Sequence, residues 1–267
     1  GLKSFDSDGF TVGTSAQVNQ SGINNVAWNW KAGTTSGLSG GTITPSSYSI
    51  NTTSGFGIYK YTGTGSAGTI AHGLGSTPKL IIVKCTSNAD TWAVYHADVG
   101  ATKYMELDTN VGAQTSTVPW NDTEPTSSVF TVGTWSATNG SGRTYIAYCF
   151  VEKTGYSKFG SYTANNNSNG PFIYTGFKPA FFIGKKDGGT GNFHIYDNKR
   201  LGYNNQNKRL RADQTDVEDQ YSIDIVSNGI KIRTNNNSLN NHTGNMVYWA
   251  FAENPIVGSN NIPATAR

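Results

Sequence analysis

The sequence predicts an all-β fold: two tandem antiparallel β-sandwich repeats, jelly-roll-like, preceded by an orphan β-hairpin. Three observations lead there. Gly, Thr, Asn and Ser dominate the 267 residues while charged residues make up only 14%, which favours turns and strands over long helices. Apolar and β-branched runs are of strand length and are separated by Gly/Asn/Asp clusters. The third is an internal repeat, which fixes the domain plan before any motif is considered.

Tyr61-Thr62 recurs as Tyr162-Thr163, Gly75 as Gly176, Pro78 as Pro179, Lys84 as Lys185, Tyr95 as Tyr196 and Glu152 as Glu253, each pair 101 residues apart. Apolar character keeps the register where identity lapses, as in Trp92/Phe193, Val94/Ile195 and Phe150/Phe251. A partial third copy opens the chain, with Phe10–Thr14 matching Phe130–Thr134, Asn19 matching Asn139 and Ala27-Trp28 matching Ala147-Tyr148 at a spacing of 120. The expected divisions are an end segment at 1–32, a Gly/Ser/Thr linker at 33–54, repeat 1 at 55–154, repeat 2 at 155–254 and a tail at 255–267. Residues 1–32 read as the closing third of a repeat whose front lies in a longer chain, another module or a neighbouring subunit.

Within each repeat the elements follow in order. Lys79–Lys84 and its counterpart Ala180–Gly184 come after a proline and are aliphatic, so they read as strands. Thr91–His96 and Asn192–Asp197 form the next, aromatic pair, and Asp187-Gly188-Gly189 supplies the positive φ of the turn between them. Each copy is expected to close with a long-looped hairpin, Phe130–Thr134 with Tyr145–Val151 and Ile230–Thr234 with Met246–Ala252. Tyr145–Phe150 has few polar positions and belongs in the middle of a sheet.

Several function classes are disfavoured. A formal charge of +3 and a pI of 8.7 are too slight for a dedicated nucleic-acid binder. No apolar run approaches the ~20 residues of a bilayer span, so membrane insertion is not expected. Neither G-x-S-x-G nor H-E-x-x-H occurs. His72, His96, His194 and His242 do not recur between copies and are expected on the surface or in loops rather than as metal ligands. Asp6-Ser7-Asp8-Gly9 resembles the start of a calcium loop without its later carboxylates and reads as a turn. Glu152 and Glu253 read as strand-end carboxylates that cap backbone or pair with a lysine. Cys149 is expected as a small buried thiol and Cys85 as a strand-end thiol. No catalytic residue, cofactor or metal is assigned.

Aromatic faces stack on sugar rings, and the loop aromatics Trp120, Trp135, Tyr156 and Tyr203 are the candidate glycan or receptor contacts. Trp28, Trp92 and Trp249 fall at repeat-aligned apolar positions and are expected in strands and in the core. Basic residues bunch between Lys178 and Arg211, which reads as a solvated face or as a patch for an anionic surface.

The segments SFDSDGFTVGTSAQVNQSG, YTGTG…HGLGSTPKLIIVK, SKFGSYT…GPFIYTGFKPAFFIGKK and MVYWAFAENP resemble a repeat of tail-fibre-like and other virion proteins of marine tailed bacteriophages, cyanophages among them. The resemblance implies a non-enzymatic virion structural protein: a tail fibre, spike or surface appendage involved in host attachment, homo-oligomeric, as a trimer if a fibre. It implies other virion proteins and a host surface glycan as partners and the particle surface as location. A capsid decoration protein and a carbohydrate-binding adhesin module are the alternatives.

Overall fold

The computed structural model describes residues 1–200, 204, 206–240 and 244–253. Tyr203, His242 and the tail at 255–267 lie outside the described residues. The chain divides into Gly1–Lys31 and a second unit that begins at Ala32 and contains both repeats.

In the first unit, β1 (Leu2–Phe5) pairs antiparallel with β2 (Phe10–Val12) across a turn closed by the Asp6 amide donating to Gly9 O at 2.9 Å. The Asp6 carboxylate accepts from Ser4 Oγ and Thr11 Oγ1, at 3.0 and 2.9 Å, so Asp6–Gly9 is the turn its sequence suggests. The expected pairing of Phe10–Thr14 with the strand around Trp28 is not formed: β1 takes that edge, and Trp28 is half-buried outside any strand. One turn of helix follows, α1 (Ala16–Asn19).

In the second unit the strands are β3 (Ser47–Asn51), β4 (Phe56–Thr62), β5 (Gly68–Ala71), β6 (Leu80–Cys85), β7 (Trp92–His96), β8 (Lys103–Glu106), β9 (Gln114–Thr115) and β10 (Val129–Val132). After α2 (Ser136–Asn139) come β11 (Thr144–Phe150), β12 (Ser157–Thr163), β13 (Phe172–Tyr174), β14 (Phe181–Lys186), β15 (His194–Asp197), β16 (Gln206–Arg211), β17 (Asp219–Val226), β18 (Gly229–Ile232) and β19 (Asn245–Phe251). The first half orders its main sheet β3-β4-β11-β6-β7-β8-β9, with β10 on β5 as a second layer. The second half runs β12-β19-β14-β15-β16-β17-β18-β13, so β4 to β11 and β12 to β19 meet the same neighbours in the same order. All pairings are antiparallel, and β11 and β19 are central, as their apolar sequences require.

Each half encloses its own core. Tyr59, Tyr61, Val83, Tyr95, Tyr145 and Cys149 from the main sheet close on Ile70, Phe130 and Val132. In the second half Phe182, Tyr196, Met246 and Tyr248 close on Ile173, Ile223, Ile230 and Ile232. The period-2 alternation of each strand sends alternate side chains into these cores.

Two expectations are corrected. Residues 33–54 are not a linker: β3 forms the edge of the main sheet, Thr34 bridges Ile50, and Ile43 and Ile50 are buried in the core. The closing hairpins do not form either. β10 pairs with β5 and β18 with β13 and β17, whereas β11 pairs with β4 and β6 and β19 with β12 and β14. The physical cause is the connection, where a buried asparagine holds the chain as it crosses between layers. Asn139 Nδ2 donates to Gly133 O and Ser66 O, both at 2.7 Å, and its Oδ1 accepts from the Thr64 amide. Asn240 repeats this with Thr234 O, Asn167 O and the Asn165 amide. Asn19 makes the matching bond to Gly13 O at 3.0 Å in the first unit.

Candidate functional site

In the basic segment between Lys178 and Arg211, Lys199, Arg200, Lys208, Arg209 and Arg211 form local ion pairs, while Lys185 and Lys186 are buried. Arg200 pairs with Asp197 and Glu218, Arg209 with Asp219, Arg211 with Asp216 and Asp219, and Lys199 with Glu253. Arg209 is 4% exposed, and its guanidinium stacks on Tyr221 with 3.8 Å to the ring centroid. The Asp219 carboxyl is held below its usual range chiefly by the bond from Arg209, and Glu253 chiefly by the bond from Lys199. Glu152 accepts from Lys158 and from the Phe159 amide, so both repeat-aligned glutamates are strand-end partners.

The described histidines are corrected from surface to core: His72, His96 and His194 are all 0% exposed. His72 Nε2 faces Thr126 O at 3.1 Å and His96 Nε2 faces Tyr248 O at 3.2 Å. Burial lowers the pKa of each, and beside His194 the Arg209 charge adds to the effect. Cys85 and Cys149 are both buried free thiols.

Of the glycan candidates, Trp120 is corrected: it is 1% exposed and meets Tyr95 edge-on at 6.0 Å in the core, so neither ring face can stack on a sugar. Trp135 is half-buried against Tyr104, with ring centroids 4.7 Å apart, and Tyr156 is half-buried against Phe251. The structure does not bring Trp120, Trp135 and Tyr156 into one surface.

A different aromatic pair stands clear. Phe172 and Tyr174 of β13 are 46% and 62% exposed. They lie two residues apart on the outward face of an edge strand, which places their Cα atoms about 7 Å apart. Lys231 faces Phe172 across the strand and Gly229 faces Tyr174. The counterpart strand in repeat 1, β5, carries Thr69 and Ala71 there, and its free edge is taken by Thr42 and Ile43, whose amides donate to Thr69 O at 2.9 Å. Among the described residues β13 pairs only with β18. The repeat spacing gave no signal for this pair because it differs between copies; the only cue was an aromatic at each of two alternating positions, Phe172 and Tyr174.

A further aromatic cluster lies on the outer face of each main sheet. Trp92 stacks on Tyr148 with Lys84 over the Trp92 ring, and in repeat 2 Phe193 meets Trp249 with Lys185 over Phe193. Trp249 is 3% exposed and Trp92 half-buried, but both lie on the outer faces rather than in the cores expected of them.

Comparison with known proteins adds a family to this geometry. The profile of a family described as a domain of unknown function, DUF7483, matches residues 1–255. The chain belongs to the DUF7483 family. The match spans the first unit and both repeats, so the family's domain is larger than either sandwich alone. No curated protein and no solved structure matches the chain.

Proposed function

We propose that the chain is a non-enzymatic structural protein of a bacteriophage particle, most simply a tail fibre, spike or appendage module that contributes to host attachment. The observation that carries this reading is the aromatic joint between the two sandwiches. Phe150 meets Phe251 and Phe159, with ring centroids 5.5 and 6.3 Å apart, and His96 meets Trp249 at 6.2 Å. Two β-modules clamped by buried rings form a stiff, charge-balanced body, which suits a load-bearing element, and the resemblance to tail-fibre-like repeats supplies the particle. Immunogold labelling of purified particles with an antibody against the chain tests it: the reading requires label at the tail or its appendages. Label on the capsid faces would favour a decoration protein, and unlabelled particles would end the proposal.

A second reading, a carbohydrate-binding module, is favoured by the exposed Phe172–Tyr174 pair. Flat apolar ring faces at that spacing suit adjacent sugar rings, and Lys231 offers a cation to an acidic glycan.

A further inference from the structure

The two outer faces with their Lys–aromatic–aromatic trios are the same surface in the two repeats but differ in burial. In repeat 2 Lys185, Phe193, Trp249, Ile183 and Val247 are between 0% and 6% exposed. In repeat 1 the matching Lys84, Trp92, Tyr148, Ile82 and Ile146 are all only half-buried. The difference has a visible source. The loop of repeat 1 between β8 and β9 lies on the face of repeat 2: Asn110 O accepts from Lys185 Nζ at 3.1 Å and from the Gly191 amide at 2.8 Å, and the Ala113 amide donates to Asp187 O at 2.6 Å. Between them Gly112 approaches so closely that a Cβ there would fall 2.5 Å from Gly189 O. Lys84 donates to Asp90 O, as Lys185 does to Gly191 O, and has no described counterpart of Asn110.

The contact is not reciprocated. Sheet register aligns the loop of repeat 2, Thr215–Glu218, with Asn110–Ala113, because Lys103↔Thr115 corresponds to Lys208↔Gln220. That loop touches nothing on the face of repeat 1 among the described hydrogen bonds, and Val217, at the place of Gly112, is 86% exposed. A one-way loop-on-face contact is heterologous, which rules out a two-fold relation and leaves a ring or an open stack. Phe150 and Phe251, equivalent positions, are in direct contact at this joint, and Phe159 of repeat 2 packs against both.

We propose that the Lys84–Trp92–Tyr148 face is the seat of a third repeat of this same fold, which continues the one-way contact that repeat 1 makes on repeat 2. The occupant enters with its β8–β9 loop, places a backbone carbonyl on Lys84 Nζ and has glycine at the tip. A whole second copy is not the occupant: its repeat 1 loop is already engaged on its own repeat 2, and its free loop carries Val217 where the seat needs glycine. This inference does not depend on the function proposed above.

Lysine acetylation read by mass spectrometry tests it. In the dilute chain Lys84 reacts at least about tenfold faster than Lys185, the ratio reporting local exposure. Gly112→Val lifts the loop from repeat 2 and brings Lys185 toward the rate of Lys84. An extended chain in which a second copy of residues 33–154 replaces residues 1–32 slows Lys84 to the rate of Lys185, and the same glycine-to-valine change in the added copy restores fast labelling. The proposal is overturned if Lys84 is already as slow as Lys185 in the monomer, if Gly112→Val leaves Lys185 protected, if Lys84 becomes protected only on self-association of the unextended chain, or if the extended chain folds, by its added β circular dichroism, with Lys84 still fast. Should the extended chain not fold, the first three outcomes still decide.

Discussion

Lys185 Nζ, wholly buried in the second repeat, donates across the joint to the backbone carbonyl of Asn110 in the first at 3.1 Å. Burial lowers its pKa from the ordinary 10.5 to about 8, Asp213 opposing and Lys186 adding to the shift. Above pH 8 the folded chain has released a proton that the unfolded chain keeps until 10.5. Stability therefore rises with pH through that window, by up to about 1.4 kcal/mol per pH unit, and loses this contribution as pH falls back through it. Urea unfolding at about pH 7.5 and pH 9.5 should show the wild type gaining on Lys185→Met across the window, the variant falling because burial also raises the pKa of the Cys149 thiol. Burial raises the pKa of Cys149, Tyr61, Tyr162 and Tyr196, which opposes the trend from about pH 9 upward.

Acid should act through the buried histidines. His72, His96 and His194 have folded pKa values below the ordinary 6.5. Their contribution is present above 6.5 and is lost as pH falls toward the folded values, each adding a slope of about 1.4 kcal/mol per pH unit. Replacing His96 by Gln should remove one proton's worth of that slope between about pH 6.5 and 5, measured by denaturant titration. An unchanged slope would show that His96 is protonated in the folded chain.

The asparagine clasp predicts a contrast. Asn139→Ala and Asn240→Ala each strip a fully buried residue of bonds to two carbonyls and one amide. Each should cost about 3 kcal/mol. Asn19→Ala, at an exposed position, should cost under about 0.5 kcal/mol. Equal losses at all three would mean that the clasp does not hold the layer crossing.

The aromatic candidates separate by the same logic. Trp120→Ala should destabilise by about 3–5 kcal/mol as a core truncation. Phe172→Ala and Tyr174→Ala should leave stability within about 0.5 kcal/mol. On a glycan array they should abolish whatever sugar binding the wild type shows, and binding that survives both changes would remove β13 from the carbohydrate reading.

The repeat was legible because spacing survives substitution: Tyr61 and Tyr162 are 101 residues apart and their hydroxyls donate to Thr138 O and Leu239 O, themselves 101 apart. Strands β6, β7 and β11 were legible from their aliphatic runs. The layer to which β10 belongs was not, since that depends on Asn139 reaching Gly133 and Ser66, and an asparagine in a Gly/Ser loop reads as a turn residue. Burial of His72, His96 and Lys185 was likewise hidden. Alternation along a strand says which residues share a face, but not what covers that face, and here the cover of Lys185 comes from a loop 75 residues earlier. The glycan candidates failed at Trp120 for the same reason: a loop tryptophan can fold back over its own core.

The claim that the two repeats form one clamped body is tested most directly by differential scanning calorimetry of the whole chain. The joint through Phe150, Phe251 and Lys185 predicts that repeat 1 and repeat 2 melt in a single transition, and that Phe251→Ala splits it in two. Two separate transitions in the wild type, unaltered by Phe251→Ala, would contradict it.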